Sequence, residues 1–154
     1  MNLSSFLQPS AIKVISEVTS KKRLFQHLSD VAADLIDLPA PQIFEALQDR
    51  ENLGPTGVGH GVALPHARLT NVSKIHGVFL KLEHPIDFEA TDRQPVDLIF
   101  ALFAPNDTGV DHLRALALVA RMFRDPALCM KLRANSDPAT LYAVLVDDEP
   151  SKAA

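Results

Sequence analysis

One cysteine, one tyrosine and no tryptophan occur among the 154 residues. With Cys129 alone no internal disulfide can form, and its apolar helical context suits a buried thiol in a reducing compartment. No Lys/Arg run exists, and the formal charge of -4 argues against a nucleic-acid binder. No apolar run is long enough to cross a membrane, and Met1–Phe6 does not open a basic segment followed by an apolar core. A cytoplasmic chain without a secretory leader or direct membrane contact is expected. Several common sites are also missing. Gly54 to Gly59 has the glycine spacing of a P-loop, but His60 stands where the lysine is needed. Gly57-Val58-Gly59 does not open a helix, so it fails as a dinucleotide fingerprint, and there is no G-x-S-x-G elbow. His60, His66 and His112 could be written as zinc ligands of a metal-dependent hydrolase. No helical histidine pair or Cys/Asp cluster supports that alternative, so neither a metal nor another cofactor is expected.

What is present is an ordinary globular composition, 47% apolar and 22% charged. One domain over 1–146 is expected, with a solvated tail at 147–154. Ile12–Val18 reads as a short strand. Thr19 or Ser20 caps a helix in which Leu24, Leu28, Val31, Ala32 and Leu35 recur at helical spacing. Pro41 opens a second helix, with Ile43, Phe44 and Leu47 inward and an end near Arg50. Arg68–Ser73 reads as a loop. Val78–Leu82 reads as a strand stopped by His84-Pro85, and Val96–Phe103 as an interior strand. Thr108-Gly109-Val110-Asp111 has the form of a capping box before a helix with Leu113, Leu116, Ala117, Ala120 and Phe123 inward. Asp125-Pro126 starts another helix, and Ser136 or Asp137 caps a last one with Leu141, Val144 and Leu145 inward. Helices at both ends with strands between predict an α/β fold, a three-layer α/β/α sandwich on a mixed sheet.

The chain is organised around Gly57-Val58-Gly59-His60-Gly61-Val62-Ala63-Leu64-Pro65-His66-Ala67-Arg68. Glycines let backbone approach a ligand and aim several N–H groups at an anion, so Gly57, Gly59 and Gly61 are candidate phosphate binders. Val62–Leu64 reads as a brief strand ended by Pro65, which sets His66 at an element's edge. A neutral imidazole there carries a free lone pair, and phosphoryl chemistry on nitrogen fits. The alternative is a turn between two strands with an incidental histidine. Of the six histidines, His27, His76 and His84 read as structural. His60 lies within the glycine segment as a possible ligand contact, and His112 falls in the first turn of a helix.

Taken together, Asp49–Gly59, Gly61–Arg68, Pro95-Val96-Asp97-Leu98-Ile99-Phe100 and His112-Leu113 with Leu116-Ala117 resemble the enzyme IIA proteins of the mannitol/fructose/nitrogen class of the bacterial phosphotransferase system. The resemblance spans essentially the whole chain, and its wording is most similar to the nitrogen-regulatory members. It implies a phosphohistidine carrier: His66 accepts the group on its tele nitrogen, His112 donates a hydrogen bond to it, and Arg50 compensates its charge. Arg68 is a further possible contact. An HPr-like protein as donor and regulated proteins as targets are implied. The alternative role is sugar-specific, passing the group to a IIB domain. His60 departs from the pattern, in which Asn is frequent.

Overall fold

The computed structural model describes residues 1–107 and 109–147. Two 3-10 turns, Leu3–Ser5 and Pro9–Ala11, lead into β1 (Ile12–Ile15), α1 (Lys21–Ile36) and α2 (Ala40–Leu53). Next come β2 (Gly57–Gly59), β3 (Val62–Ala63), β4 (His66–Leu69), β5 (His76–Ile86) and β6 (Val96–Pro105). The helices α3 (Val110–Phe123), α4 (Pro126–Arg133) and α5 (Pro138–Asp147) close the described chain. One mixed sheet runs β1-β5-β6-β3-β2, with β4 also paired to β6. The β1–β5, β3–β6 and β4–β6 pairs are parallel; β5–β6 and β2–β3 are antiparallel.

The central pair β5–β6 is apolar on both faces, as a strand covered from two sides must be. Phe79 lies opposite Phe100, and both stack with Phe123 of α3 at centroid distances of 5.9 and 5.8 Å. Val78, Leu80, Ile99 and Ala101 point to the other face and are equally inaccessible. The packed pair α1–α2, lying on β5 and β4, covers that face, so the sheet is the middle of three layers. Burying so much apolar side chain is the main stabilising term in a domain of this size.

Several local expectations hold in detail. Ser20 caps α1 through the Arg23 N–H at 3.2 Å, and Asp125 caps α4 through the Ala127 N–H at 2.9 Å. The Asp137 carboxylate accepts from the Thr140 N–H at 3.1 Å at the start of α5.

Others need correction. The first strand stops at Ile15 rather than Val18. The second helix runs past Arg50 to Leu53, which puts Arg50 in its last turn. The β5 strand does not stop at His84-Pro85: it continues to Ile86 through an irregularity between Lys81 and Ile86, the kind of place where a strand tolerates proline. Arg68 and Leu69, expected at the start of a loop, belong to the strand His66–Leu69. Ala67 and Leu69 alternate inward at 4% and 3% exposure, a period-2 signal masked by the polar residues between them. The capping residue expected at Thr108 lies outside the described residues; α3 starts after Gly109, with no side-chain cap. Of the expected tail, only Asp147 is described, as the last residue of α5.

Candidate functional site

The strand pair β3 and β4 is one path broken at Pro65. Val62 and Ala63 pair with Leu98 and Ile99, then His66 to Leu69 pair with Leu102 to Pro105. Proline has no N–H to offer, but its carbonyl accepts from Leu102 at 3.0 Å, so the path resumes at once. His66 therefore opens β4, a strand that pairs only with β6 among the described residues. The end of α2 and the start of α3 flank it. Ala46, Arg50, His66, Ala67, Arg68, His112, Leu113 and Leu116 line a groove of about 300 Å³.

The His66 ring is held at both nitrogens. Nδ1 lies 3.1 Å from the Leu64 carbonyl, which can only accept, so Nδ1 carries the proton. Nε2 accordingly presents its lone pair and accepts from Arg50 Nε at 3.2 Å. Arg50 is itself anchored, donating through Nη1 to the Gly54 carbonyl at 3.0 Å. Burial is the main cause that holds the His66 pKa below its ordinary value. The charge of Arg50 acts in the same direction, while the Leu64 carbonyl and Glu51 oppose it. The ring is thus neutral at pH 7.

His112, in the first turn of α3, is only 4% exposed. Its ring stands edge-on to that of His66, centroid to centroid 5.6 Å. Burial, with His66 and Arg68 adding to it, lowers its pKa to about 4. Its Nε2 is buried without a hydrogen-bond partner among the described residues. An unpaired buried polar atom costs about 1–3 kcal/mol, which makes this ring nitrogen a candidate hydrogen-bonding group in the groove. Arg68 is exposed at the rim and donates to the Asn106 carbonyl at 3.1 Å.

Gly57, Gly59 and Gly61 are not among the residues that line this groove. The Gly61 carbonyl accepts from Asp97 and Leu98, whereas His66 is in register with Leu102. Four to five strand residues separate these levels, about 15 Å at ~3.3 Å each. Gly57 and Gly59 sit one strand further out, in β2. Gly57 permits close packing, since a Cβ there would meet Ala90 at 2.7 Å. Gly61 has φ +79° and follows His60 at φ +57°, the two left-handed residues of a tight hairpin turn between β2 and β3. The His60 N–H donates to Asp92 at 2.9 Å, and its carbonyl accepts from Arg133 Nη2 at 2.8 Å. His60 and Gly61 thus form the turn between β2 and β3, and His60 does not join His66 and His112 in the groove. Among the described residues no cluster of three or more His, Cys, Asp or Glu could hold a metal ion.

Two features escaped sequence reasoning. One is Glu51, 8% exposed, whose carboxylate accepts from the Thr56 N–H at 2.9 Å, the Thr56 hydroxyl at 2.6 Å and Lys21 at 2.7 Å. A glutamate near a helix end reads as solvated, and spacing does not announce its partners. The other is the orientation of α3. His112, Ala115, Val119, Met122 and Phe123 face inward, while Leu113 is 62% and Val110 58% exposed. The expected inward set of Leu113, Leu116, Ala117, Ala120 and Phe123 shares only Phe123 with this face. Both stripes are apolar, so helical periodicity alone could not choose between them.

Comparison with known proteins gives a consistent result. Residues 5–147 match a family model described as phosphoenolpyruvate-dependent sugar phosphotransferase system, EIIA 2. The chain is 47% identical over 145 residues to a nitrogen regulatory protein of Bradyrhizobium diazoefficiens, covering 94% of this chain and 95% of that one. It is 41% identical over 150 residues to the nitrogen regulatory protein of Escherichia coli K12, covering 97% and 92%. The crystal structure of nitrogen regulatory protein IIA-Ntr from Neisseria meningitidis matches with a TM-score of 0.87 at 36% identity, covering 93% of this chain and 98% of that one.

Proposed function

We propose a phosphocarrier mechanism for this chain, which belongs to the EIIA 2 family of the phosphoenolpyruvate-dependent sugar phosphotransferase system. The observation that carries it is the His66 ring, with Nδ1–H fixed on the Leu64 carbonyl and the Nε2 lone pair facing Arg50. His66 Nε2 attacks the phosphorus of a donor phosphohistidine in line. The Nε2–P bond forms as the donor's N–P bond breaks, and the donor imidazole leaves with the electron pair. Positive charge developing on the His66 ring is met by the Leu64 carbonyl at Nδ1.

The phosphoryl group displaces the Arg50 N–H from the lone pair. Arg50 then faces a phosphoryl oxygen, where a charge-assisted hydrogen bond is stronger than the one it gave up. His112 Nε2 supplies a second donor, and the dipole and free N–H groups at the start of α3 favour the same negative charge. No nucleotide or metal enters the reaction. Leu113, exposed at the groove, and the exposed Val110 one turn before it on α3 support docking of a carrier protein over His66.

The donor in this reading is an HPr-like protein. The named relatives are nitrogen regulatory proteins, which supports a regulator whose phosphorylation state controls partner proteins rather than a component of sugar uptake. Incubation with phosphoenolpyruvate and the two upstream carriers tests the chemistry. One phosphoryl group, acid-labile and base-stable, should map to His66. No mass gain overturns the carrier reading, and rapid stoichiometric transfer onward to a fructose- or mannitol-type IIB domain overturns the regulatory half.

A further inference from the structure

We propose that Glu51 is a positioning residue for phosphoryl transfer, holding the His66 nucleophile and Arg50 in register through Thr56. The inference rests on the carrier reading above. Glu51 touches neither His66 nor the phosphoryl position, but every anchor of the His66 ring leads back to it. Its carboxylate takes the main-chain N–H and the hydroxyl of Thr56 at 2.9 and 2.6 Å. The Thr56 carbonyl accepts from the Leu64 N–H at 2.9 Å. The Leu64 carbonyl in turn takes the Nδ1–H of His66 at 3.1 Å. This line of contacts selects the ring tautomer.

A second line runs through the helix. Glu51 and Arg50 are neighbours in the last turn of α2, and Arg50 grips both Gly54 and His66 Nε2. Binding Thr56 to Glu51 folds the 54–56 segment back against that turn. It thereby fixes the carbonyl that anchors the guanidinium. Lys21 closes the assembly from α1, 2.7 Å from Glu51 and 4.5 Å above the Phe88 ring. With one face on α1 and one on the β2 approach, the carboxylate is buried and both its oxygens are engaged. This is the preorganised support that a small catalytic constellation requires.

The test compares Glu51→Ala with Glu51→Gln. The amide can still accept from the Thr56 N–H and donate to the Thr56 hydroxyl, so it keeps the geometry and removes the charge. In Glu51→Ala the labelling rate should fall about tenfold to a hundredfold, as sub-ångström to ångström misplacement of a nucleophile does. The ¹⁵N shifts of the His66 ring should show a mixture of tautomers while the amide fingerprint of the remaining sheet is unchanged. Glu51→Gln should label near the wild-type rate with the Nδ1–H tautomer retained. Its His66 protonation midpoint should move down, because a nearby negative charge is gone. Wild-type rate and tautomer in Glu51→Ala overturn the proposal, and so does a Glu51→Gln as slow as Glu51→Ala. If Glu51→Ala does not fold, Thr56→Val cuts one of the two Thr56 links. A drift of the His66 tautomer there supports the proposal and its absence overturns it. A wild-type protein that takes no label defeats the carrier reading instead. The ring-nitrogen shifts still test Glu51 in that case, because they need no phosphoryl group.

Discussion

Strand β6 has two ends, and the stretch 57–68 is divided between them. At the Asp97 end, the polar groups of the hairpin turn are met by protein. Asp92 takes the His60 N–H, Arg133 caps the His60 carbonyl and clasps Asp97 at 2.9 Å, and the Gly61 carbonyl receives two N–H groups. At the Leu102 end, His112 Nε2 is buried with no partner among the described residues, and His66 Nε2 has one arginine N–H. A segment that serves the fold consumes its own polar groups, whereas a site for an anion leaves donors to be completed by a ligand. Substitutions at the two ends should therefore fail in different assays.

The largest effect belongs to His66→Ala, which should abolish phosphoryl labelling. Peptide mapping of any residual label is the check: label at the normal rate, or label on His112, would break the assignment of roles. Next is His112→Ala. Loss of one donor to a developing anion costs roughly 2–4 kcal/mol of transition-state stabilisation, about a hundred- to a thousandfold in rate. Labelling should be slow but still map to His66.

The same variant carries a pH signature. Folded His112 binds its proton only near pH 4, against an ordinary value of 6.5. Between these values the unfolded chain binds more protons, so stability falls as pH drops through that window and levels off below it. His66 is displaced in the same direction. His112→Ala should remove one proton of slope, about 1.4 kcal/mol per pH unit, and leave the His66 contribution. Urea midpoints between pH 4 and 7 measure it. An unchanged slope would mean that His112 is not held neutral by the fold.

Sequence reasoning grouped residues of both ends into one site, and the fold sets them apart. Helical spacing and caps located the helices, and the apolar run 96–103 located the central strand. Pro65-His66 and the family wording singled out His66, His112 and Arg50, which the fold brings to one groove. The glycines were grouped with them because they are near in sequence. Extended chain advances about 3.3 Å per residue, so a few residues carry a group out of reach of its neighbour's site. Glu51 and the outward stripe of α3 depend on which surfaces meet, and local pattern does not encode that.

Gly61→Ala tests the structural end. A side chain at φ +79° is strained, and its Cβ would fall on the Arg133 guanidinium, which must leave Asp97 and the His60 carbonyl. The expected cost is about 1–3 kcal/mol. Once folded, the variant should label at the wild-type rate. A labelling defect of the His112→Ala kind at full stability would return Gly61 to the phosphate site.

The smallest effect is expected for His60→Asn. His60 occupies the first of two left-handed turn positions, and its two hydrogen bonds are both made by the main chain. The side chain is exposed, so the position asks only for tolerance of positive φ. Asn followed by Gly is the pair that such a turn favours, while a β-branched residue is a genuine outlier there. His60→Asn should therefore leave labelling unchanged and stability equal or slightly higher. His60→Val should lose about 1–2 kcal/mol, again with normal labelling once folded. Thermal midpoints and labelling time courses on the pair are sufficient. If His60→Asn slows phosphoryl transfer while the fold is intact, the imidazole of His60 takes part in the reaction. The two ends of β6 would then act as one site, and the contrast between them would fail.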